Sequence, residues 1–284
     1  IMKKTTIREN NTLKNLLYVA LFVALFIVIH AVFEFGTIAI YAYLKGLDLF
    51  NVAQSMQSGK YSDVLIAANL LSSVAAILIY IKMKWAPISR TYLQTKPWGV
   101  LFWAAMLSIG IILPAQFVYE KLQITMSDNM TQLFEGIMRQ PLGYLIVGIL
   151  APIAEELIFR GAILRVLLNT FGHKGRWIAI ALTALIFAFI HGNIAQGVHA
   201  FIIGLALGWM YMRTKSVLPG IVLHWVNNTI AYLMFNLMPH MADGKLIDYF
   251  HGSERSMYLG LLFSLCILVP ALFQLSIRMK QANK

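Results

Sequence analysis

What this chain has least of is charge. Asp, Glu, Lys and Arg make up 12% of its 284 residues, against about 25% in an ordinary soluble domain. Beside a hydrophobic content of 59%, that scarcity excludes a water-soluble globular protein and predicts one that lives in a lipid bilayer. No polar or Ser/Pro-rich stretch is long enough to form a separate soluble domain, so a single membrane domain is expected. Acids are scarcer than bases, 12 against 23, which leaves a formal charge of +11. The lysines and arginines flank the apolar runs and form no patch, so the excess predicts a bilayer partner and no nucleic acid. The single cysteine, Cys266, lies inside an apolar run; it excludes an intrachain disulfide and reads as a small core residue. No small-x-small cleavage site follows the first apolar run, about 16–33, which is longer than a signal-peptide core and is expected to stay as an anchor.

Taken at about 20 apolar residues per crossing, the runs predict eight transmembrane helices, at about 14–34, 62–82, 98–119, 142–165, 176–192, 195–213, 216–238 and 256–278. The fold class is therefore an all-α integral membrane protein. Helices 1–3 and their loops fill 1–135, helices 4–7 fill 136–240, and the last helix lies in 241–284. Tight turns, "HGNIAQ" and "RTKSVLPG", require the fifth to seventh spans to be antiparallel neighbours. Sixteen lysines and arginines fall at one set of helix ends and six at the other, namely Lys45, Lys60, Lys121, Arg139, Lys245 and Arg255. The excess marks the cytoplasm, so both termini are expected inside, as in a prokaryotic plasma membrane. Arg160 is the one basic residue left within a span. No inverted or parallel repeat is visible, which weakens a secondary-transporter reading.

Against this background "LAPIAEELIFRGAIL", Leu150 to Leu164, stands out. Each ionisable side chain near the middle of a bilayer costs roughly 2.5–3.5 kcal/mol on insertion scales, and here three lie within six residues. Glu156 and Arg160 are four apart with the acid N-terminal, the favourable order for a helical ion pair. Glu155 lies about 100° away around the helix, so one glutamate is expected to neutralise the arginine while the other stays free. Two more polar pairs follow: Phe187 with His191 in "FAFIH", and His224 with Asn228 in "HWVNN". If the helices pack, Glu155, His191, His224 and Asn228 converge in one intramembrane polar cavity. A carboxylate beside a histidine suits general-base activation of water, and a histidine with an amide supplies donors for an oxyanion. Two histidines and a glutamate equally make a three-ligand zinc site with an open position for water, so Glu155, His191 and His224 are the candidate ligands. Spacing does not choose between the two chemistries.

EExxxR, FxxxH and HxxxN, in this order on three apolar helices, resemble the CPBP family, the CAAX-protease and bacteriocin-processing (Abi) enzymes also called type II CAAX prenyl endopeptidases. The resemblance is specific from about Leu142 to Pro239. It implies a CAAX-protease-like helical bundle that hydrolyses a peptide bond in a membrane-associated or lipidated peptide or protein substrate. Glu155 and His191 would activate water, with Glu156 counted in the catalytic set; His224 and Asn228 would hold the oxyanion. Arg160 and Phe187 would support the site. The family is often labelled metalloprotease, which keeps zinc open.

Taken singly, the pairs have bland explanations: Glu156 and Arg160 as a structural ion pair, His191 as an interfacial histidine, Phe187 as packing. His30, His173, His240 and His251 are expected at ends or in loops, Glu34 at an interface, and His199 is a candidate partner to the site. HExxH, GxGD and GxSxG are absent, so other intramembrane protease chemistries have no support. Two rival functions are a non-catalytic scaffold or bacteriocin-immunity protein that regulates membrane partners, and a proton- or metal-coupled transporter using Glu155 and the histidines as a relay. Ion flux in liposomes would favour the transporter, peptide cleavage the enzyme.

Overall fold

A computed structural model describes residues 12–56, 59–88, 90–238 and 245–280. Every regular element among them is helical: α1 (Thr12–Lys45), α2 (Leu49–Met56), α3 (Ser62–Lys82), α4 (Arg90–Gln94), α5 (Trp98–Lys121), α6 (Asp128–Met138), α7 (Ala151–Glu155), α8 (Arg165–Phe171), α9 (Arg176–Phe189), α10 (Ile194–Thr214), α11 (Leu218–Leu237) and α12 (Glu254–Arg278). Two π-helical stretches, Leu145–Leu150 and Glu156–Leu164, flank α7, and a 3-10 turn covers Leu246–Phe250.

Five of these, α1, α3, α5, α10 and α12, are long and apolar enough to cross a membrane. Their outward faces stay greasy, with Ile27, Val32 and Phe35 on α1 and Leu262, Phe263 and Val269 on α12 all exposed. A helix apolar on its outer as well as its inner face belongs in lipid, and the protein is an integral membrane helical bundle. The predicted count of eight is not reached on length and composition. The 142–165 span is broken into π and α stretches. The 176–192 span is a 14-residue helix, about 21 Å long at 1.5 Å per residue and short of a hydrocarbon core of about 30 Å. The 216–238 span forms α11, 20 residues long, whose polar residues dilute its hydropathy. Conversely, α1 runs 34 residues, well past the predicted end at 34.

That overrun corrects one expectation. His30 lies in the middle of α1 and not at its end, and it packs between the Phe26 ring (centroids 4.4 Å apart) and Ser72 Oγ of α3 (3.1 Å). His240 lies outside the described residues, and Cys266, expected in the core, is exposed on the outer face of α12.

The helices pack around the Glu156–Leu164 stretch, which is buried along its whole length. Phe159, Ile158 and Leu164 meet Phe22, Phe26 and Tyr80 from α1 and α3 and Phe187 from α9. A second core joins Leu107 of α5, Leu207 and Met210 of α10 and Leu275 of α12. There α5 and α12 approach so closely that a Cβ on Gly110 would lie 2.7 Å from the Leu268 backbone nitrogen, the small-residue contact expected where helices meet without a hydrophobic driving force. The turns at 190–193 and 215–217 make α9, α10 and α11 successive neighbours, as their brevity required.

Candidate active site

Pro152 sets the local geometry. It has no N–H and its ring disfavours regular helix before it, and the preceding turn is π-helical, with Ala151 N–H donating to Ile146 O. In that i to i−5 register the next carbonyl, Val147 O, would wait for an N–H that Pro152 lacks. Asn228 of α11 fills the gap: its Nδ2 donates to Val147 O at 2.8 Å. Since a carbonyl only accepts, this bond also fixes the orientation of the Asn228 amide. Two further contacts on the same face of α11 lock it against the start of this segment. Trp225 Nε1 donates to Tyr144 Oη (3.0 Å), which lies 3.1 Å from Thr229 Oγ1.

One turn beyond Pro152, the two glutamates part company. Glu156 is fully buried, and its Oε1 accepts from Arg160 Nη1 at 2.6 Å. The guanidinium, itself buried, stacks 4.5 Å from the centre of the Phe187 ring and reaches the Gly204 carbonyl at 3.5 Å. Gly220 of α11 backs directly onto this pair, so close that a Cβ there would lie 2.5 Å from Glu156 Oε2. Glu155 points the other way, into a cavity of about 580 Å³ that also exposes His191, His199, His224, Asn227 and Asn228. That volume is in the range of sites that take a small ligand or a short peptide.

His224 sits between the two acids. Its Nδ1 donates to Glu156 Oε1 at 3.4 Å, and its Nε2 faces Glu155 Oε2 at 3.6 Å across the cavity wall. Glu156, counted among the catalytic residues from sequence, does not line the cavity and touches it only through His224. His191 lies in the turn just past α9, on the rim of the recess. Its Nδ1–H donates to Phe187 O at 2.7 Å, which leaves the Nε2 lone pair free. Phe187 is buried edge-on to both His191 and His224, at 4.9 and 6.0 Å between centroids, and so spaces the rings as well as covering Arg160.

Two cavity residues extend this set. Asn227, which the sequence reading passed over beside Asn228, donates through Nδ2 to Asn228 Oδ1 (3.1 Å) and lies 3.3 Å from His199 Nε2. His199 is thereby tied to the site from α10, with the Tyr119 ring against its edge. The doubled amide in "HWVNN" was the available signal. Although Glu155, His191 and His224 share one cavity, among the described residues no three His, Cys, Asp or Glu side chains are grouped closely enough to hold a metal ion. The candidate zinc set does not fit this arrangement, and no step below passes through a metal.

The far wall of the cavity is apolar, with Ile112, Phe134, Ile137, Met234 and Phe235, and the 3-10 turn closes it with Leu246 and Tyr249. That turn is pinned to α5 by Leu246 N–H donating to Glu120, whose carboxylate also accepts from Gln116 Nε2 at 3.2 Å.

Comparison with known proteins bears on this segment. Residues 138–230 match the family model of the type II CAAX prenyl endopeptidase, Rce1-like. The chain is 27% identical over 108 residues to the Bacillus subtilis (strain 168) protein named "Putative membrane peptidase YdiL"; the match takes in 38% of this chain and spans 43% of that relative's length. No solved structure matches. Every side chain of the Glu156 and Glu155 clusters lies inside the matched residues, and over 138–230 the chain is similar to the Rce1-like family.

Proposed function

We propose that this protein is a membrane-embedded endopeptidase that cleaves a peptide bond in a lipidated or membrane-associated peptide by direct attack of water. The observation that carries the reading is the Glu155 carboxylate, 18% exposed on the wall of a recessed cavity, 3.6 Å from His224 Nε2. Glu155 takes a proton from a water held between it and the free Nε2 of His191, and the resulting hydroxide attacks the peptide carbonyl carbon. The carbonyl oxygen gains the negative charge. His224, carrying a proton on both ring nitrogens where it lies between the two glutamates, donates to it through Nε2–H, as does the second amide hydrogen of Asn228, donors that are already oriented and lose no alignment as charge develops. When the tetrahedral intermediate collapses, the C–N bond breaks and the proton held by Glu155 passes to the departing amine.

Glu156 and Arg160 are positioning residues in this scheme. Their ion pair is net neutral in a place where an unpaired charge would be costly, and Glu156 holds His224 by its Nδ1 so that Nε2 faces the substrate. The apolar wall formed by α5, α6 and α11 suits a hydrophobic or lipid-bearing chain.

The test is cleavage of a fluorogenic peptide library by the purified protein in detergent, comparing wild type with Glu155→Gln. Turnover in the wild type and none in the variant, at equal folded yield, supports the assignment. Equal turnover in both removes Glu155 as the base.

A further inference from the structure

The end of the bundle opposite the cavity carries a second hollow, of about 450 Å³, that plays no part in the proposed hydrolysis. Three helix ends build it: the turn from α8 into α9, the end of α10, and the residues that follow α12. His173, Arg176, Arg213, Lys215 and Lys280 line it, and the buried side chains of Leu168, Met212 and Met279 form its floor.

Two of the cations are held in place without being neutralised. Arg213 Nη2 donates to the carbonyls of Ser276 and Met279, at 2.8 and 3.3 Å, which fastens α10 to the end of α12. Arg176 Nη1 donates to His173 Nε2 at 3.1 Å. Among the described residues no carboxylate pairs with any of the five. Nor is one at hand: every described acid other than Glu34, Glu155 and Glu156 lies at the opposite helix ends.

Placement of positive charge at one membrane face needs only scattered lysines and arginines. Gathering two arginines and two lysines around one concave space adds mutual repulsion and focuses the field there, an arrangement that an anion with several oxygens relieves. The hollow also opens beside lipid-facing apolar surface, since Trp177, Ile178 and Leu182 on α9 and Phe273 and Ile277 on α12 are exposed. A free phosphate would use the cations alone, whereas a phospholipid uses both features. We infer that the hollow between α9, α10 and α12 binds the phosphate headgroup of an anionic phospholipid whose acyl chains lie along α9 and α12. Basic pockets between membrane helices hold anionic headgroups in this way.

The experiment offers the detergent-purified protein equimolar phosphatidylglycerol and phosphatidylcholine and counts retained lipid by native mass spectrometry. Preferential retention of phosphatidylglycerol by the wild type is expected. At about 1 kcal/mol per basic residue, the triple variant Arg176→Gln, Lys215→Gln, Lys280→Gln should weaken that retention on the order of a hundredfold. The control triple Lys82→Gln, Lys84→Gln, Lys96→Gln removes equal charge from the same end outside the hollow and should leave retention unchanged. Equal retention of the two lipids by the wild type, or equal loss in both triples, overturns the proposal. So does displacement of the lipid by inorganic phosphate at equal concentration, because the tails would then contribute nothing.

Discussion

Asn228 donates to the backbone carbonyl of Val147 at 2.8 Å, and that carbonyl is the one whose helical partner Pro152 cannot supply. A side chain of α11 thus completes the backbone of the helix that carries Glu155, which ties the spacing of the cavity walls to a single proline. The two positions should be energetically coupled. Asn228→Ala leaves a part-buried carbonyl without its partner, at up to about 1–3 kcal/mol, and in a Pro152→Ala background, where the backbone can supply an N–H, the same substitution should cost less. A double-mutant cycle on unfolding in detergent measures this; strict additivity would contradict the coupling.

The buried ion pair gives a second expectation. Arg160→Ala strands a carboxylate that is 0% exposed, and breaking such a pair from one side costs about 3–5 kcal/mol. Loss of thermal stability should therefore be large for Arg160→Ala and for Glu156→Ala. The double replacement Glu156→Gln, Arg160→Met, which removes both charges, should recover much of it. Stability in the double variant no better than in Arg160→Ala would show that the pair's charge is not the source of the cost.

Gly220 tests the same region by shape. A Cβ there would sit 2.5 Å from Glu156 Oε2 and 3.4 Å from Leu207 Cδ2, and the carboxylate cannot swing away because Arg160 holds it. Gly220→Ala should lower stability by about 1–3 kcal/mol, as overpacking does. By displacing His224 it should also depress peptide turnover. Gly36, inside α1 with nothing within 4 Å of its Cβ position, is the contrasting site, where Gly36→Ala should lower neither measurement and, by helix propensity, raises stability if anything.

Among the proposed catalytic groups, removing one oxyanion donor with His224→Ala should reduce kcat by about 10²–10³. Asn227→Ala acts at one remove, through Asn228 and His199, and should cost less in kcat. Steady-state kinetics on one peptide separates them. If Asn227→Ala proves the more severe, His199 and Asn227 belong nearer the reacting atoms than His224.

A chelator addresses the metal question. Since the three candidate ligands are not gathered into a metal-holding group, prolonged dialysis against EDTA should leave turnover unchanged, with zinc content measured in the same sample. Loss of activity that returns on adding zinc would mean the side chains regroup around the ion.

Much of this protein was legible in its sequence because the bilayer imposes rules on composition. Scarce charge and long apolar runs dictated an all-helical membrane bundle. The cost of burying charge singled out Glu155, Glu156 and Arg160, and helical periodicity alone predicted that Glu156 would take the arginine while Glu155 turned away. What the chain could not announce was how far each helix would run or where it would distort. Composition does not report the π-helical turns around Pro152, the continuation of α1 past His30 and Glu34, or the shortness of α9. The last two follow from packing against neighbours that are distant in sequence, and the π-helical turn before Pro152 leaves a carbonyl that Asn228 of another helix satisfies. Only the tertiary structure decided that Glu156 would lie behind His224, that Asn227 and His199 would join the cavity, and that Val147 would accept from Asn228. Each is a contact between different helices, and a one-dimensional pattern fixes which face of a helix is polar without fixing which other face it meets.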